Sequence, residues 1–505
     1  MTKHGSLSTA RRRNPYAAAS RVLSGHCLRG VARVRPIATV FPNIFACLLF
    51  LLAAGLGNRE VEASPAGDSV TVLYTAAKRY EPLAWMHGGE RFPTGATIYL
   101  RELSLRAPAH NDSLRQDVLI PNFAASTDAA ISFDGQRVLF SGKRRTQDPW
   151  QIWEADLARG QPRQITFGPE DHVRPFYLPG DRIVCAHKVS GRFVIEAVDL
   201  TGRNPLQLTY GPSSYLPTDV LLDGRILFEA GYPLGTDSTP EIYTVYSDGS
   251  GIESYRCDHG NARYQGRQIS SGNIVFASRA GLLPFGLAQF ISASAHEVHL
   301  DAPAGEYAGD VAEIASGDWL LPWRPAQEAH FQLVAWEAGA HALRLSVADA
   351  NRDVIQPVIV APRVVPKQHP SALHDTPNAN LLCLNAYTSK SRFAPGSIHS
   401  ARIYSLNAKN KPALLGTAPV EADGSFFVQV PTETALQIEL LDSAGQTLKR
   451  EAGFFWMRRG EQRVCAGCHA GPETAPENAV PMILLKSTTP ADATGAKVHT
   501  ASGGH

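Results

Sequence analysis

The sequence predicts an all-β chain: a β-propeller of about six blades, then a small β-sandwich domain ending in a CxxCH segment. Three observations predict it. The 505 residues are 44% apolar and 19% charged, with 42 Gly and 35 Pro, a balance that excludes a wholly disordered chain and favours turn-rich β structure over a helical bundle. A unit of about 45 residues recurs through the middle of the chain. Beyond it, short alternating strands are punctuated by Asp-Gly and similar turns.

The N-terminal 63 residues stand apart. They carry nine Lys/Arg against only Glu60 and Glu62. A basic stretch over residues 3–35 is followed by an apolar run, Ile44 to Leu56, and by the small residues around Val61-Glu62-Ala63. This is the order of a secretory signal, with cleavage expected before Ser64. Extended back to Pro36, the apolar run also reads as an uncleaved membrane anchor. Either way the body is expected to be exported, in the periplasm or its equivalent. Without the leader the balance is 39 basic against 45 acidic residues, which gives no electrostatic reason to expect nucleic-acid binding.

The repeat is anchored by a tight turn and a β-rich strand: Phe133-Asp134-Gly135 before Val138-Leu139-Phe140, Leu178-Pro179-Gly180 before Ile183-Val184, and Leu222-Asp223-Gly224 before Ile226-Leu227-Phe228. Weaker copies surround Gly272 and Gly317. Glycine suits these turns because it accepts positive φ without a Cβ clash. A second strand follows each turn, as at Gln151–Glu154, Phe193–Glu196 and Glu241–Thr244. Four short strands per unit match a propeller blade, placing the propeller at residues 68–362. Val70–Tyr74 is expected to close the ring by pairing with its end. The repeats resemble those of TolB-like and WD40-like proteins, which speaks to fold and not to function.

Pro357 to Pro370 reads as a linker. Residues 363–485 form the second domain, with strands expected at Asn380–Asn385, Ser400–Tyr404, Ser425–Val430 and Leu436–Leu441. Residues 486–505 read as a disordered tail. Cys465-Ala466-Gly467-Cys468-His469 is the attachment pattern of c-type haem: two thiols add to the porphyrin vinyl groups and the adjacent histidine reaches the iron. One covalent haem c is therefore expected on Cys465 and Cys468, with His469 as axial ligand. A zinc site needs a second ligand pair, and there is no other CxxC. A redox dithiol needs a βαβ context, which the pattern lacks.

The stretches Pro419–Phe427 and Phe454–Glu461, followed by the CxxCH, resemble the middle domain of the hydrazine synthase alpha subunit over about residues 355–485. The resemblance implies an extracytoplasmic c-haem domain beside a propeller. It does not carry the family's reaction over. The family's iron-binding tyrosine, four residues past the motif histidine, corresponds here to Glu473, and no further haem module is expected in the polar stretch 486–505.

Candidates for the sixth iron position are Met457, Met482, Tyr387 and His399, or the position is open. Met482–Leu485 also reads as a core strand. Cys257 and His259 form a candidate second metal site, with zinc as the ion. Cys185 and Cys383 read as core residues; Arg174, Arg225 and Arg263 read as solvated turn residues that could meet haem propionates; His296 and His299 read as surface. The expected functions are electron transfer with the propeller docking a redox partner or sister subunit, a haem oxidoreductase acting on a small nitrogen or oxygen compound at an open iron, or a binding module with a structural haem. No GxSxG, P-loop, dinucleotide fingerprint or HExxH motif occurs.

Overall fold

The computed structural model describes residues 69–495, apart from 105–116, 159–160, 232–238, 255–261, 281–282, 292–295, 301, 316–317, 338–339, 390, 408–409, 452 and 468–478. The N-terminal segment read as a leader lies outside the described residues. No described helix is long and apolar enough to cross a membrane.

Six sheets follow one another through residues 69–359, each an antiparallel blade. The middle of each blade is an uninterrupted apolar run, because the blade is covered on both faces by its neighbours. Val138-Leu139-Phe140, Ile183-Val184-Cys185 and Ile226-Leu227-Phe228 are all fully buried. The turn glycines 135, 180, 224 and 272 all have positive φ, as expected. At Gly224 a side chain is excluded twice, by φ and by the carbonyl of Lys367 packed against it.

Closure comes from the far end of the repeat region. Strand Asp353–Ile359 pairs with Ser69–Ala77 and becomes the inner strand of the first blade. The sequence reading counted Pro357 to Ile359 as linker; these residues belong to the strand. Pro357 is tolerated because it falls in the register shift between Ile355 and Val358, where the ladder needs no donor.

The inner strands share a second irregularity. Five break register at a bulge, and the sixth is interrupted between Glu306–Tyr307 and Ala312–Ala315; at these places stand Asp128, Arg174, Thr218, Gln265, Gln356 and Asp310, one from each blade. All but Thr218 hold positive φ, between 53° and 62°. For non-glycine residues this costs about 1–2 kcal/mol each. Buried polar bonding offsets that cost. Arg174 reaches across the axis and donates from Nη1 and Nη2 to both Asp310 oxygens, at 2.9 and 2.6 Å, and from Nη2 to Gln265 Oε1. Asp128 accepts a bidentate pair from Arg91, at 2.9 and 2.6 Å, and further bonds from Gln356 Nε2 and Ser141 Oγ. Arg174 is therefore not a solvated turn residue. The bulge turns it inward, and its side chain is 1% exposed.

Burial opposes ionisation of Asp128, but the Arg91 guanidinium holds its carboxyl well below the usual range. Arg174 and Arg267 do the same for Asp310. Glu229 differs. Burial pushes its carboxyl up to about 7, only partly offset by Arg174 and by the Gln265 N–H that donates to it at 3.0 Å.

The segment between the first two sequential strands crosses one face of the ring. Trp85, Met86 and Phe92 are buried there with Trp150, Val173, Phe193 and Leu216, and Lys188 Nζ donates to the Gly88 carbonyl at 3.0 Å. The chain after Ile359 passes beneath the opposite turns: Pro362 meets Gly135 and Lys367 meets Gly224.

The second domain is a sandwich of two four-stranded sheets. One holds Gln462–Cys465, Asn378–Cys383, Phe426–Pro431 and Ala491–Asp492; the other holds Pro412–Pro419, Ser400–Leu406, Leu436–Leu441 and Thr447–Arg450. All four expected strands are present, and part of the stretch read as a disordered tail is ordered: Ala491–Asp492 pairs with Val428 and Gln429, and Ala493 is buried in the core. Leu381, Val428, Ile403 and Leu440 fill the space between the sheets. Trp456 leaves this domain and enters the core of the third and fourth blades, edge-on to Tyr215 at 5.6 Å.

Two stability predictions follow from the axis. Replacing Arg174 with Met leaves Asp310 without its bidentate partner, and a loss of about 3–5 kcal/mol is expected from urea melts of the full chain. The second concerns Glu229, whose pKa is raised from 4.5 to about 7 on folding. A raised carboxyl pKa stabilises the fold at low pH, and that contribution fades as pH rises from about 4.5 to about 7, by on the order of 3 kcal/mol. The difference in stability between wild type and Glu229→Gln is expected to shift by that amount across this window and to stay flat above it; a flat difference throughout contradicts the assignment.

Candidate functional site

The CxxCH motif begins at the end of strand Gln462–Cys465. That strand lies parallel to Asn378–Cys383, with Cys465 opposite Cys383. Leu384 donates its N–H to the Cys465 carbonyl at 2.9 Å, which fixes the backbone at the first motif cysteine. Gly467 then packs against the carbonyls of Thr388 and Asn385, and a Cβ there would collide with both. Glycine at the third motif position is thus a steric requirement of this turn. Cys468 and His469 lie outside the described residues.

Burial pushes the Cys465 thiol up to about 11, outweighing the pull of Arg463. Cys465 is protonated at neutral pH, unlike the activated thiolate of a redox dithiol. Cys383 is buried in the sandwich core and Cys185 in the propeller core, as the sequence suggested.

The motif strand is tied to the propeller. Glu461 accepts from the Gly251 N–H at 3.2 Å and from Arg463 Nε at 3.0 Å, while its other oxygen takes the Arg458 N–H at 2.7 Å. Arg458 in turn pairs with Glu433 at 2.8 Å and donates to the Tyr210 hydroxyl. Cys257 and His259 fall within residues 255–261, outside the described residues.

The four candidates for the iron's sixth position fall into two groups. Met457 is fully buried in the sandwich core, and Tyr387 is held by its hydroxyl, which accepts the Ile398 N–H at 3.1 Å. Met482 and His399 remain exposed. Met482 does not lie in a core strand. It opens a single helical turn, Met482–Lys486, in which only Ile483 is buried. The neighbouring sandwich turn dictates this. Asp423 Oδ2 accepts the Met482 N–H at 2.8 Å and Ser425 Oγ accepts the Ile483 N–H at 3.0 Å, satisfying donors that a helix start leaves free. Gly424, in the same turn, packs on Asn385 and Tyr387, and Asn385 touches Gly467. Met482 and the CxxCH therefore share one corner of the sandwich. Val464, Val480 and Leu485, large apolar side chains flanking the motif and this helix, are all more than half exposed.

Of the arginines weighed as propionate partners, Arg174 is at the axis. Arg263 is buried, and Arg225 pairs with Asp223 at 2.7 Å. His296 and His299 lie on strand His296–His299 of the fifth blade.

One cluster escaped sequence reasoning. His172, His187 and Glu196 converge on three adjacent strands of the third blade, with their ligand atoms all within 4.8 Å of one another. The residues are far apart in sequence and form no motif. Only the strand register assembles them: His172 lies opposite His187, and Glu196 lies diagonally across the next strand pair.

Residues 385–470 match the hydrazine synthase alpha subunit middle domain. No curated protein sequence matches the chain. Among solved structures, hydrazine synthase from Kuenenia stuttgartiensis aligns over 83% of this chain and 72% of its own, with 16% identity and a TM-score of 0.67. TolB from Acinetobacter baumannii aligns over 59% of this chain and 67% of its own, with 14% identity and a TM-score of 0.42. A putative TolB from Agrobacterium tumefaciens aligns over 58% and 99%, with 11% identity and a TM-score of 0.39. The chain thus resembles the hydrazine synthase alpha subunit: its second domain matches that subunit's middle domain, and the propeller and sandwich together follow the fold of the Kuenenia stuttgartiensis enzyme.

Proposed function

We propose that this chain is an exported c-type haem protein that transfers electrons, with the propeller as the surface that docks a redox protein or sister subunit. The observation that carries the reading is the corner of the sandwich where the CxxCH begins. Cys465 is fixed on a strand end, Gly467 is pressed flat against two carbonyls, and exposed apolar side chains flank the motif. Such side chains favour contact with a large apolar group, and a porphyrin face is one. The residues fit the group. Cys465 and Cys468 would hold the porphyrin by thioether bonds and His469 would bind the iron. The group supplies a one-electron redox couple, which this chain tunes through the axial ligand and the exclusion of water. Met482 offers an exposed thioether at this corner and would be a further residue to hold the iron, which would raise its potential. Buried Met457 and tethered Tyr387 serve the sandwich instead.

The test is to express the full chain in a host with c-type maturation. A haem-stained band is expected on a denaturing gel, with pigment that resists acid acetone, and both are expected to be lost in Cys465→Ala and in Cys468→Ala. A colourless wild-type protein refutes the proposal. Gly467→Ala is expected to lower haem incorporation severalfold without destabilising the propeller, because the added methyl collides with the Thr388 and Asn385 carbonyls. With Met482 as the sixth ligand, the reduced protein resists carbon monoxide, and Met482→Ala both admits it and lowers the midpoint potential. Ready binding by the wild type would favour small-molecule chemistry over electron transfer.

A further inference from the structure

We propose that His172, His187 and Glu196 form a binding site for one divalent transition-metal ion of the zinc type, inside the third blade and separate from the CxxCH. Each residue comes from a different strand of one antiparallel sheet: His172–Leu178, Arg182–Val189 and Arg192–Asp199. His187 Nδ1 lies 3.3 Å from Glu196 Oε2, and His172 Nε2 lies 3.9 Å from Glu196 Oε1. Two ligands about 2.1 Å from a tetrahedral ion stand about 3.4 Å apart, so His187 and Glu196 are at ligand spacing, while His172 must close in from 3.9 Å. Two imidazoles and a carboxylate suit zinc and leave a coordination position open.

The arrangement is poorly explained by packing alone. The His172 side chain is only 6% exposed, yet its Nδ1 makes no well-formed hydrogen bond among the described residues, with only the Glu170 backbone acting on the ring, and its Nε2 is beyond hydrogen-bond range of Glu196. The two imidazoles stack face to face, 4.1 Å between centroids and 14° from parallel. Burial and the neighbouring His187 push His172 down to about 4, so it is neutral at physiological pH and able to bind a metal. Parallel rings do not aim their lone pairs at one point. Closing on an ion requires a turn of one ring about its Cβ–Cγ bond, and His187, 24% exposed, has the room. Cys185 is the direct cross-strand partner of Glu196 and lies on the same face; burial keeps its thiol protonated as an apolar wall.

Zinc is the probe. Full-length protein is loaded with zinc and gel-filtered; retained zinc is measured by elemental analysis and affinity by competition with a chelating indicator. His187→Asn is expected to lose one equivalent per chain relative to wild type. Glu196→Gln is expected to bind at least about tenfold more weakly, since even groups that merely orient a ligand are worth that much. Cys257→Ser is expected to keep this ion, which separates the site from any zinc held elsewhere. Zinc is expected to raise the melting temperature of wild type more than that of His187→Asn, and metal-free melts show whether the variant is folded. If folded His187→Asn retains the same zinc with the same affinity as wild type, or if wild type retains none, the proposal is wrong.

Discussion

The ion pair of Arg174 with Asp310 crosses the propeller axis from the third blade to the sixth. A repeat of apolar blades packs adequately in rings of several sizes, because each blade touches only its neighbours. A bond between opposite blades is different. It forms only when the residue facing Arg174 is the aspartate three blades away. Gln356 and Asp128 tie the first blade to the second in the same layer, and Gln265 brings in the fifth. Buried ion pairs add little net stability over apolar packing, but they penalise the wrong arrangement heavily. Here the penalised arrangements are other blade counts and slipped registers. The left-handed backbone at these five residues is the strain that aims their side chains inward.

Arg91 extends this layer to the segment that crosses one face. Its bidentate bond to Asp128 is sealed from water by Trp85, Phe92 and Trp150, so the crossing segment and the axis hold each other in place. Dry surroundings strengthen every pair within, and they also make Glu229 reluctant to ionise. It hydrogen-bonds to Gln265 and, among the described residues, has no arginine at bonding distance. Whether a carboxyl in this layer is held ionised or kept near neutrality depends on whether a guanidinium is fixed against it.

The blades were legible in the sequence because turn glycines and fully apolar middle strands are local signals. The axis was not. Arg174 looks like a solvated residue when read from its neighbours, although a polar residue six or seven positions before the turn glycine was there to be seen at Asp128, Arg174, Thr218, Gln265 and Asp310. Its meaning requires the bulge, and a bulge follows from pairing with a partner strand. The His172, His187 and Glu196 cluster was invisible for the same reason: register, not sequence proximity, brings the three together. Met482 illustrates the converse. Its apolar neighbours suggested a strand, but the nearby Asp423 and Ser425 acceptors capture two N–H groups and start a helical turn instead. At the CxxCH, the pattern is wholly local, but the strand Gln462–Cys465 that sets it at a sandwich corner was not among the expected strands, because only its pairing with Asn378–Cys383 defines it.

The placement of that motif on an accessory domain constrains how it works with the propeller. Four residues before Cys465, Glu461 bonds to both domains, and Trp456 is buried in the propeller core rather than in its own. Under the proposed electron-transfer role, a flexible tether would let a redox group sample many distances from any partner bound to the propeller. Electron transfer falls steeply with distance, so a fixed separation is worth more than a mobile one. Trp456, Arg458 and Glu461 form a short continuous anchor with Tyr210, Tyr215 and Gly251 as its propeller contacts, and the motif strand starts directly from it. The same geometry explains why the strand pairs in parallel with Asn378–Cys383: the chain must leave the propeller contact at Glu461 and run alongside the strand that entered from the linker. The interdomain anchor and the Gly467 turn thereby set the position of Cys465 from both sides.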